Sequence, residues 1–181
     1  MSIATESPIA WIESAADRQI TTRSASLQFA AVRGDERTVE TQLADEWPKP
    51  VYDLNTGRLI DEVLLMKGVF LPDQVPLLDN HRRGSVLDIL GSVDALRVAV
   101  DRLTGRLRLA ADGKGPASRA WLLLRDGHLS GATIGYAPSL VADIPAGQTR
   151  IVEGRTFTAR ERMLRVVIRW QLKEASLRPV G

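Results

Sequence analysis

Three polar residues, His81, Thr133 and Glu174, each stand in or at the end of an apolar, strand-like run of the sequence. An imidazole can act as a general base, a hydroxyl can act as a nucleophile, and a carboxylate can orient and charge the imidazole. Together these side chains are the components of a hydroxyl–imidazole–carboxylate hydrolase. Taken singly, each has an ordinary explanation, because a lone histidine is usually a surface or hydrogen-bonding residue and Glu174 is one of many carboxylates. Acyl transfer is therefore a hypothesis that requires the fold to bring the three together.

Small residues surround Thr133 within residues 131–136. We expect a turn in which Gly131 and Ala132 leave room for a substrate backbone and Gly135 allows unusual dihedral angles. Backbone N–H groups of this turn would then form an oxyanion hole. Threonine is an unusual nucleophile at an internal position, because its methyl group fixes χ1 and crowds the path of attack. Thr133 is thus a slower nucleophile, a replacement that inactivates the site, or a β-branched residue that fills a strand.

The sequences around these residues resemble those of the prohead (capsid maturation) protease family of tailed bacteriophages. That family has an apolar strand running into Asn-His, as in residues 75–81 here, followed by a Leu-Gly such as Leu90-Gly91. Its nucleophile stands in Ser-(Val/Ile)-Gly-(Tyr/Phe), which residues 133–136 match except that threonine replaces serine. Its late strand, Glu-(Val/Ile)-Ser-Leu-Val-Pro, is similar to residues 174–179.

The resemblance implies a mainly β or α+β fold, an antiparallel β-barrel flanked by a few helices, as in the herpesvirus assembly proteases. It implies an endopeptidase that cleaves the scaffold segment of the major capsid protein, and itself, inside the assembling phage prohead in the bacterial host cytoplasm. Thr133 would be the nucleophile, His81 the general base and Glu174 the third member, without a cofactor or a metal. A homodimer or higher oligomer is expected, with no membrane association and no direct nucleic-acid binding. The alternative is a catalytically inactive assembly or scaffolding domain of the same fold.

Four other side chains are weaker candidates for the site. Ser130, three residues before Thr133, is an alternative nucleophile, but its side chain would point to the opposite face of the strand from that of Thr133. His128 is considered because the herpesvirus proteases use a second histidine as third member, although a histidine that interacts with helix-terminal carbonyls is the simpler interpretation. Lys173 would serve only in a Ser–Lys dyad. Ser176 shares a strand face with Glu174 and could either hydrogen-bond within the site or pack.

Composition excludes several kinds of site. The 181 residues contain no cysteine, which rules out disulfides, thiolate zinc sites and a cysteine nucleophile, and two histidines do not suffice for a multi-histidine metal site.

Formal net charge is +2, but residues 150–181 hold eight basic and three acidic residues, a local charge of +5. A nucleic-acid-binding β-domain is a third hypothesis, and it rests on this basic C-terminal segment alone. Aromatic residues make up only 5% of the chain, so a base-stacking platform is poorly supported.

Local patterns predict many strands, one clear helix and no βαβ rhythm, which favours a β-barrel-like or α+β domain. Residues 116–126 are predicted as the helix, since Pro116 suits a first turn and apolar residues follow at helical spacing. The prolines of residues 47–50 are expected to break regular structure. Strands are predicted at residues 23–32, 37–43, 75–79, 91–100, 106–111, 129–141, 150–159 and 164–177.

One domain is expected over residues 21–181, preceded by a flexible leader at residues 1–20. The resemblance allows this domain to be trimmed from a longer or fused polypeptide. The N-terminus lacks a signal pattern, and no apolar run reaches the roughly 18–20 residues that a membrane span needs. We therefore expect a cytosolic protein.

Overall fold

Strands dominate the computed structural model, which is mainly β, with a curled half-barrel sheet and one helix. The structure describes residues 12–13, 20–26, 29–33 and 36–178. The strands are β1 (Ile12–Glu13), β2 (Thr21–Ser26), β3 (Phe29–Arg33), β4 (Thr38–Asp45), β5 (Lys49–Asp53), β6 (Arg58–Leu64), β7 (Val69–Phe70), β8 (Val75–Asp79), β9 (Ile89–Ala99), β10 (Arg102–Leu109), β11 (Gly131–Ile144), β12 (Thr149–Val152), β13 (Arg155–Thr158) and β14 (Leu164–Arg178).

Two long strands, β11 and β14, form the antiparallel centre of the sheet. The other edge of β11 pairs with β1 and β2. The other edge of β14 pairs in parallel with β6, β7 and β8 in turn, so the chain from β6 to β8 runs beside β14 in the same direction. Beyond β8 the sheet continues through antiparallel β9, β10, β4 and β3. The resemblance implied an antiparallel barrel, whereas this sheet contains both parallel and antiparallel pairs. The parallel pairs could not be predicted from the sequence, because pairing between distant segments leaves no local sequence pattern.

A single α-helix occurs among the described residues, α1 (Pro116–Arg125), as predicted. The carboxylate of Asp112 accepts hydrogen bonds from the N–H groups of Ala117 and Ser118 and so caps the first turn. The apolar face of α1, including Trp121, packs in the main core with side chains of β4, β8, β9, β10, β11 and β14. This core fills the inner side of the curled sheet. A second, smaller core, which includes Ala142 of β11, Val166 of β14 and Val152 of β12, covers part of the outer face.

Two local predictions differ from the structure. The segment with two prolines breaks regular structure at residues 46–48, between β4 and β5, but Pro50 lies inside β5. Among the described strands β5 pairs with β6 alone, and an edge position tolerates proline. The long strand predicted at residues 150–159 is instead the hairpin of β12 and β13, which turns at Glu153 and Gly154, both with positive φ. Of the expected leader, only β1 and Ile20 belong to the described residues. None of the described helices is long and apolar enough to cross a membrane.

Candidate active site

Alternation along β11 places Thr133 on the outer face of the sheet. Ala132, Ile134 and Tyr136 lie in the main core, and successive strand residues point to opposite faces. Thr133 and Gly135 must therefore face outward. On the paired strand, Ser176 lies opposite Thr133 and Glu174 opposite Gly135, so these four residues share one small area of the outer face.

A β-bulge in β14 directs Glu174 to this face. Gly135 pairs with Glu174, but the next residue, Tyr136, pairs with Leu172, so Lys173 is an extra residue on β14. Leu172 lies in the core. Without the extra residue, Glu174 would share the face of Leu172 and its carboxylate would enter the core.

A tight turn at the end of β8 carries His81 over the same area. The N–H of Arg82 donates to the carbonyl of Asp79 at 2.9 Å, and both central residues, Asn80 and His81, have positive φ, 46° and 59°. Positive φ at both central positions is the requirement of a type I′ turn. Asparagine tolerates this conformation, whereas histidine adopts it less readily. The turn therefore depends on contacts that hold His81 in place.

The imidazole of His81 bridges the other two predicted residues. Its Nε2 lies 2.5 Å from Oγ1 of Thr133, and its Nδ1 lies 2.5 Å from Oε1 of Glu174. The carboxylate can only accept a hydrogen bond, so Nδ1–H donates to it, and Nε2 is then the acceptor for the hydroxyl of Thr133. Thr133 and Glu174 are each only 2% exposed. The geometry is that of a hydroxyl–imidazole–carboxylate proton relay.

The side chain of Ser176 stabilises the turn that carries His81. Its Oγ accepts the backbone N–H of His81 at 2.8 Å and donates to the carbonyl of Leu78 at 3.0 Å. Ser176 is fully buried. The hydroxyl thus ties the turn of His81 to the strand that carries Glu174.

Arg83 is a site residue that the sequence analysis missed. Its Nε donates to Oε2 of Glu174 at 2.7 Å, so both carboxylate oxygens are paired. Burial acts to raise the pKa of Glu174, but hydrogen bonds from His81 and Arg83 outweigh it, and the pKa lies below its ordinary value. The carboxylate is therefore ionised at neutral pH. A basic residue two positions after the histidine was the one available signal.

The expectation of a turn around Thr133 is wrong. Gly131, Ala132 and Gly135 lie inside β11 and are paired with β2 on one side and β14 on the other. The N–H groups of a strand paired at both edges point along the sheet into its ladders, so they do not face a substrate above it. The predicted oxyanion-hole role of these three residues therefore has no support in this geometry.

Gly135 has a different role from the one expected. Its φ is not in the left-handed region. A Cβ atom at this position would lie 2.6 Å from Cγ and 2.7 Å from Oε1 of Glu174. The missing side chain makes the space that the carboxylate occupies.

The remaining candidates lie apart from the relay. Ser130 is exposed and precedes β11. His128 is exposed beyond the end of α1, where its backbone N–H donates to the carbonyl of Leu123, and Glu174 occupies the third position instead. The described residues contain no group of three or more His, Cys, Asp or Glu side chains that could hold a metal ion. Comparison with protein-family models, curated proteins and solved structures finds no match to this chain.

Proposed function

We propose that this protein is an endopeptidase that works by acyl transfer from a hydroxyl nucleophile. The observation that carries the proposal is the bridging position of His81, with one ring nitrogen on Thr133 and the other on a buried carboxylate. Burying a carboxylate removes its hydration, which costs free energy unless charged or hydrogen-bonding partners replace the water. Here His81 and Arg83 are those partners.

The chemistry follows from the donor and acceptor roles. Oγ1 of Thr133 attacks the carbonyl carbon of the scissile peptide bond while its proton passes to Nε2 of His81. Glu174 stabilises the resulting imidazolium through Nδ1. The imidazolium then protonates the leaving amine nitrogen as the C–N bond breaks, which leaves an ester on Thr133. Water, deprotonated by Nε2, hydrolyses this ester and restores the hydroxyl.

The biological setting of the proposal comes from the resemblance to the phage prohead proteases. In that setting the protein cleaves the scaffold segment of the major capsid protein, and itself, inside the assembling prohead in the host cytoplasm, as a homodimer or higher oligomer. The three motifs of the family, at His81, Thr133 and Glu174, support this assignment, as does the mainly β fold. A barrel like that of the herpesvirus assembly proteases is part of the same proposal.

A second candidate is an inactive assembly domain of the same fold. Thr133 carries a methyl group where the family has a small serine, and the residue is 2% exposed. A crowded, buried hydroxyl is a poor nucleophile even beside a correctly oriented base.

Mass spectrometry of cleavage products distinguishes the two candidates. The substrate would be the N-terminal segment of the cognate capsid protein, with self-cleavage followed in the same samples. Wild type, Thr133→Ser, Thr133→Ala and His81→Ala would be compared. Cleavage by wild type that both alanine variants abolish supports the protease. Cleavage by Thr133→Ser alone supports the inactive domain, and no cleavage by any form contradicts the enzymatic proposal.

A further inference from the structure

A groove of about 660 Å³ is lined by residues of β7, β11 and β14. Three cationic side chains line it, those of Lys67, Arg169 and Lys173. Phe70, 62% exposed, contributes an apolar wall. The groove contains no carboxylate among its lining residues.

The groove continues the face that carries Thr133. Along β11, Ala137 follows Thr133 and Gly135 at the two-residue interval that keeps side chains on one face. Ala137 pairs with Gln171 of β14, which pairs with Phe70 of β7. Ala137 lies four residue steps along the strand from Thr133, which corresponds to about 13 Å.

The position of Lys67 is fixed by close backbone packing. Lys67 is the middle residue of a 3-10 turn, Met66–Gly68, that lies against β14. A Cβ atom on Gly68 would lie 1.6 Å from the carbonyl oxygen of Ile168, so only glycine allows the turn to approach this strand. The approach brings Lys67 to the same groove as Arg169 and Lys173.

Several arginines outside the groove pair with a carboxylate, whereas the described residues place no carboxylate within ion-pair distance of these three cations. Arg83, Arg106 and Arg165, for example, each bond to a carboxylate. Among the described residues, the side-chain nitrogens of Lys67, Arg169 and Lys173 make no ion pair and no hydrogen bond. The one side-chain hydrogen bond to Arg169 comes from the hydroxyl of Ser139 and reaches the backbone carbonyl. Three positive charges without counter-charges make the groove complementary to an anionic ligand.

We propose that this groove binds acidic side chains of an extended peptide substrate, about four residues from the bond that is cut. The inference deepens the proposed endopeptidase function and rests on it for the cleavage step, but the binding step stands on the groove alone. A peptide fits better than a nucleic acid, because the groove has the volume of a small-ligand pocket, enough for a few amino-acid side chains, and offers one exposed aromatic ring, whereas single-strand binding uses successive stacking platforms.

Fluorescence anisotropy tests the binding step on the Thr133→Ala protein, which cannot consume the peptide. The probes are a labelled ten-residue peptide with three consecutive Glu residues, the same peptide with Gln in their place, and a ten-nucleotide single-stranded DNA. We expect the Glu peptide to bind roughly tenfold more tightly than the Gln peptide at low salt, and the difference to shrink at high salt.

Charge-neutral variants locate the binding site. Lys67→Gln, Arg169→Gln and Lys173→Gln combined should reduce affinity for the Glu peptide roughly tenfold. A matched triple variant at exposed positions outside the groove, Lys114→Gln, Arg119→Gln and Arg160→Gln, changes the net charge equally and should leave the affinity within twofold. Equal binding of the two peptides, or equal losses in the two triple variants, overturns the inference. Tighter binding of the DNA than of the Glu peptide, lost in the groove variant, overturns it in favour of a nucleic-acid site.

Cleavage rates separate this inference from the proposed function. If wild type cuts Glu and Gln versions of one substrate with the same kcat/KM, the groove inference fails while the protease stands. If the Glu peptide binds through the three cations and no peptide is cut, the groove stands and the protease fails. The expected result is a kcat/KM roughly tenfold higher when the Glu residues lie on one side of the scissile bond, lost in the groove variant.

Discussion

The hydroxyl of Ser176 accepts a hydrogen bond from the backbone N–H of His81, and so joins the last strand of the sheet to the turn that carries the imidazole. The same hydroxyl donates to the carbonyl of Leu78, which precedes the turn in β8. One buried side chain thereby holds both the N–H of His81 and the carbonyl of Leu78, three residues before it. The turn needs this support because His81 is held at a positive φ.

Replacing Ser176 with alanine should loosen the turn. The change leaves a buried N–H and a buried carbonyl without their partner, so we expect the free energy of unfolding to fall by about 1–3 kcal/mol in urea denaturation. It should also lower kcat roughly tenfold with little change in KM, because the imidazole loses its orientation and the groove is untouched. A fall in stability with unchanged kcat would show that Ser176 is structural only. The alanine variant of Ser130, which is exposed and lies apart from both the relay and the groove, is the control.

Gly135 should not tolerate alanine. The new Cβ would lie 2.6 Å from Cγ of Glu174 and would push the carboxylate away from His81. We expect a loss of about 1–3 kcal/mol in stability and a loss of cleavage that Thr133→Ser cannot rescue. Gly84→Ala is a suitable control near the site, because a Cβ there meets nothing closer than 3.9 Å and the residue does not have a positive φ. Normal activity of Gly135→Ala would contradict the steric role.

Local sequence patterns predicted the helix α1 and the long strand β14, because apolar spacing and end signals are properties of short segments. The motifs at His81, Thr133 and Glu174 identified three side chains that the structure places in contact. The bulge at Lys173 was not predictable, since it exists only in the register between β14 and β11. The pairing of Arg83 with Glu174 was not predictable either, since it joins two residues that are 91 positions apart in the sequence.

Arg83 should act as a positioning residue through Glu174. Arg83→Gln removes the hydrogen bond to Oε2 and the neighbouring positive charge, so the pKa of Glu174 should rise and its orientation toward His81 should weaken. We expect kcat to fall roughly tenfold or more, with KM nearly unchanged. Arg83→Lys should restore part of the rate, because an ammonium keeps the charge but not the geometry of the guanidinium. Arg82→Gln, which removes an exposed contact with Asp79, is the control.

An independent readout of the same contact is the imidazole nitrogen spectrum of His81. Selective ¹⁵N labelling reports which ring nitrogen carries the proton, and it requires no catalytic activity. In the wild type the proton should reside on Nδ1, facing Glu174. A mixture of tautomers in Arg83→Gln would support the positioning role, and an unchanged spectrum together with an unchanged kcat would exclude it.

The lowered pKa of Glu174 makes part of the stability depend on pH. Burial opposes ionisation, but the bonds from His81 and Arg83 prevail, so the folded pKa lies below the ordinary value of 4.5. Between the folded and the unfolded pKa, the unfolded chain binds more protons at this carboxyl than the folded protein does. The contribution of the ionised carboxylate to the free energy of unfolding is therefore complete above about pH 4.5 and is lost as the pH falls through the folded pKa. The difference in unfolding free energy between wild type and Glu174→Gln, measured from pH 7 to pH 3, should therefore be constant above pH 4.5 and shrink as the pH falls below it. A constant difference across this range would mean that the carboxylate is not held ionised by His81 and Arg83.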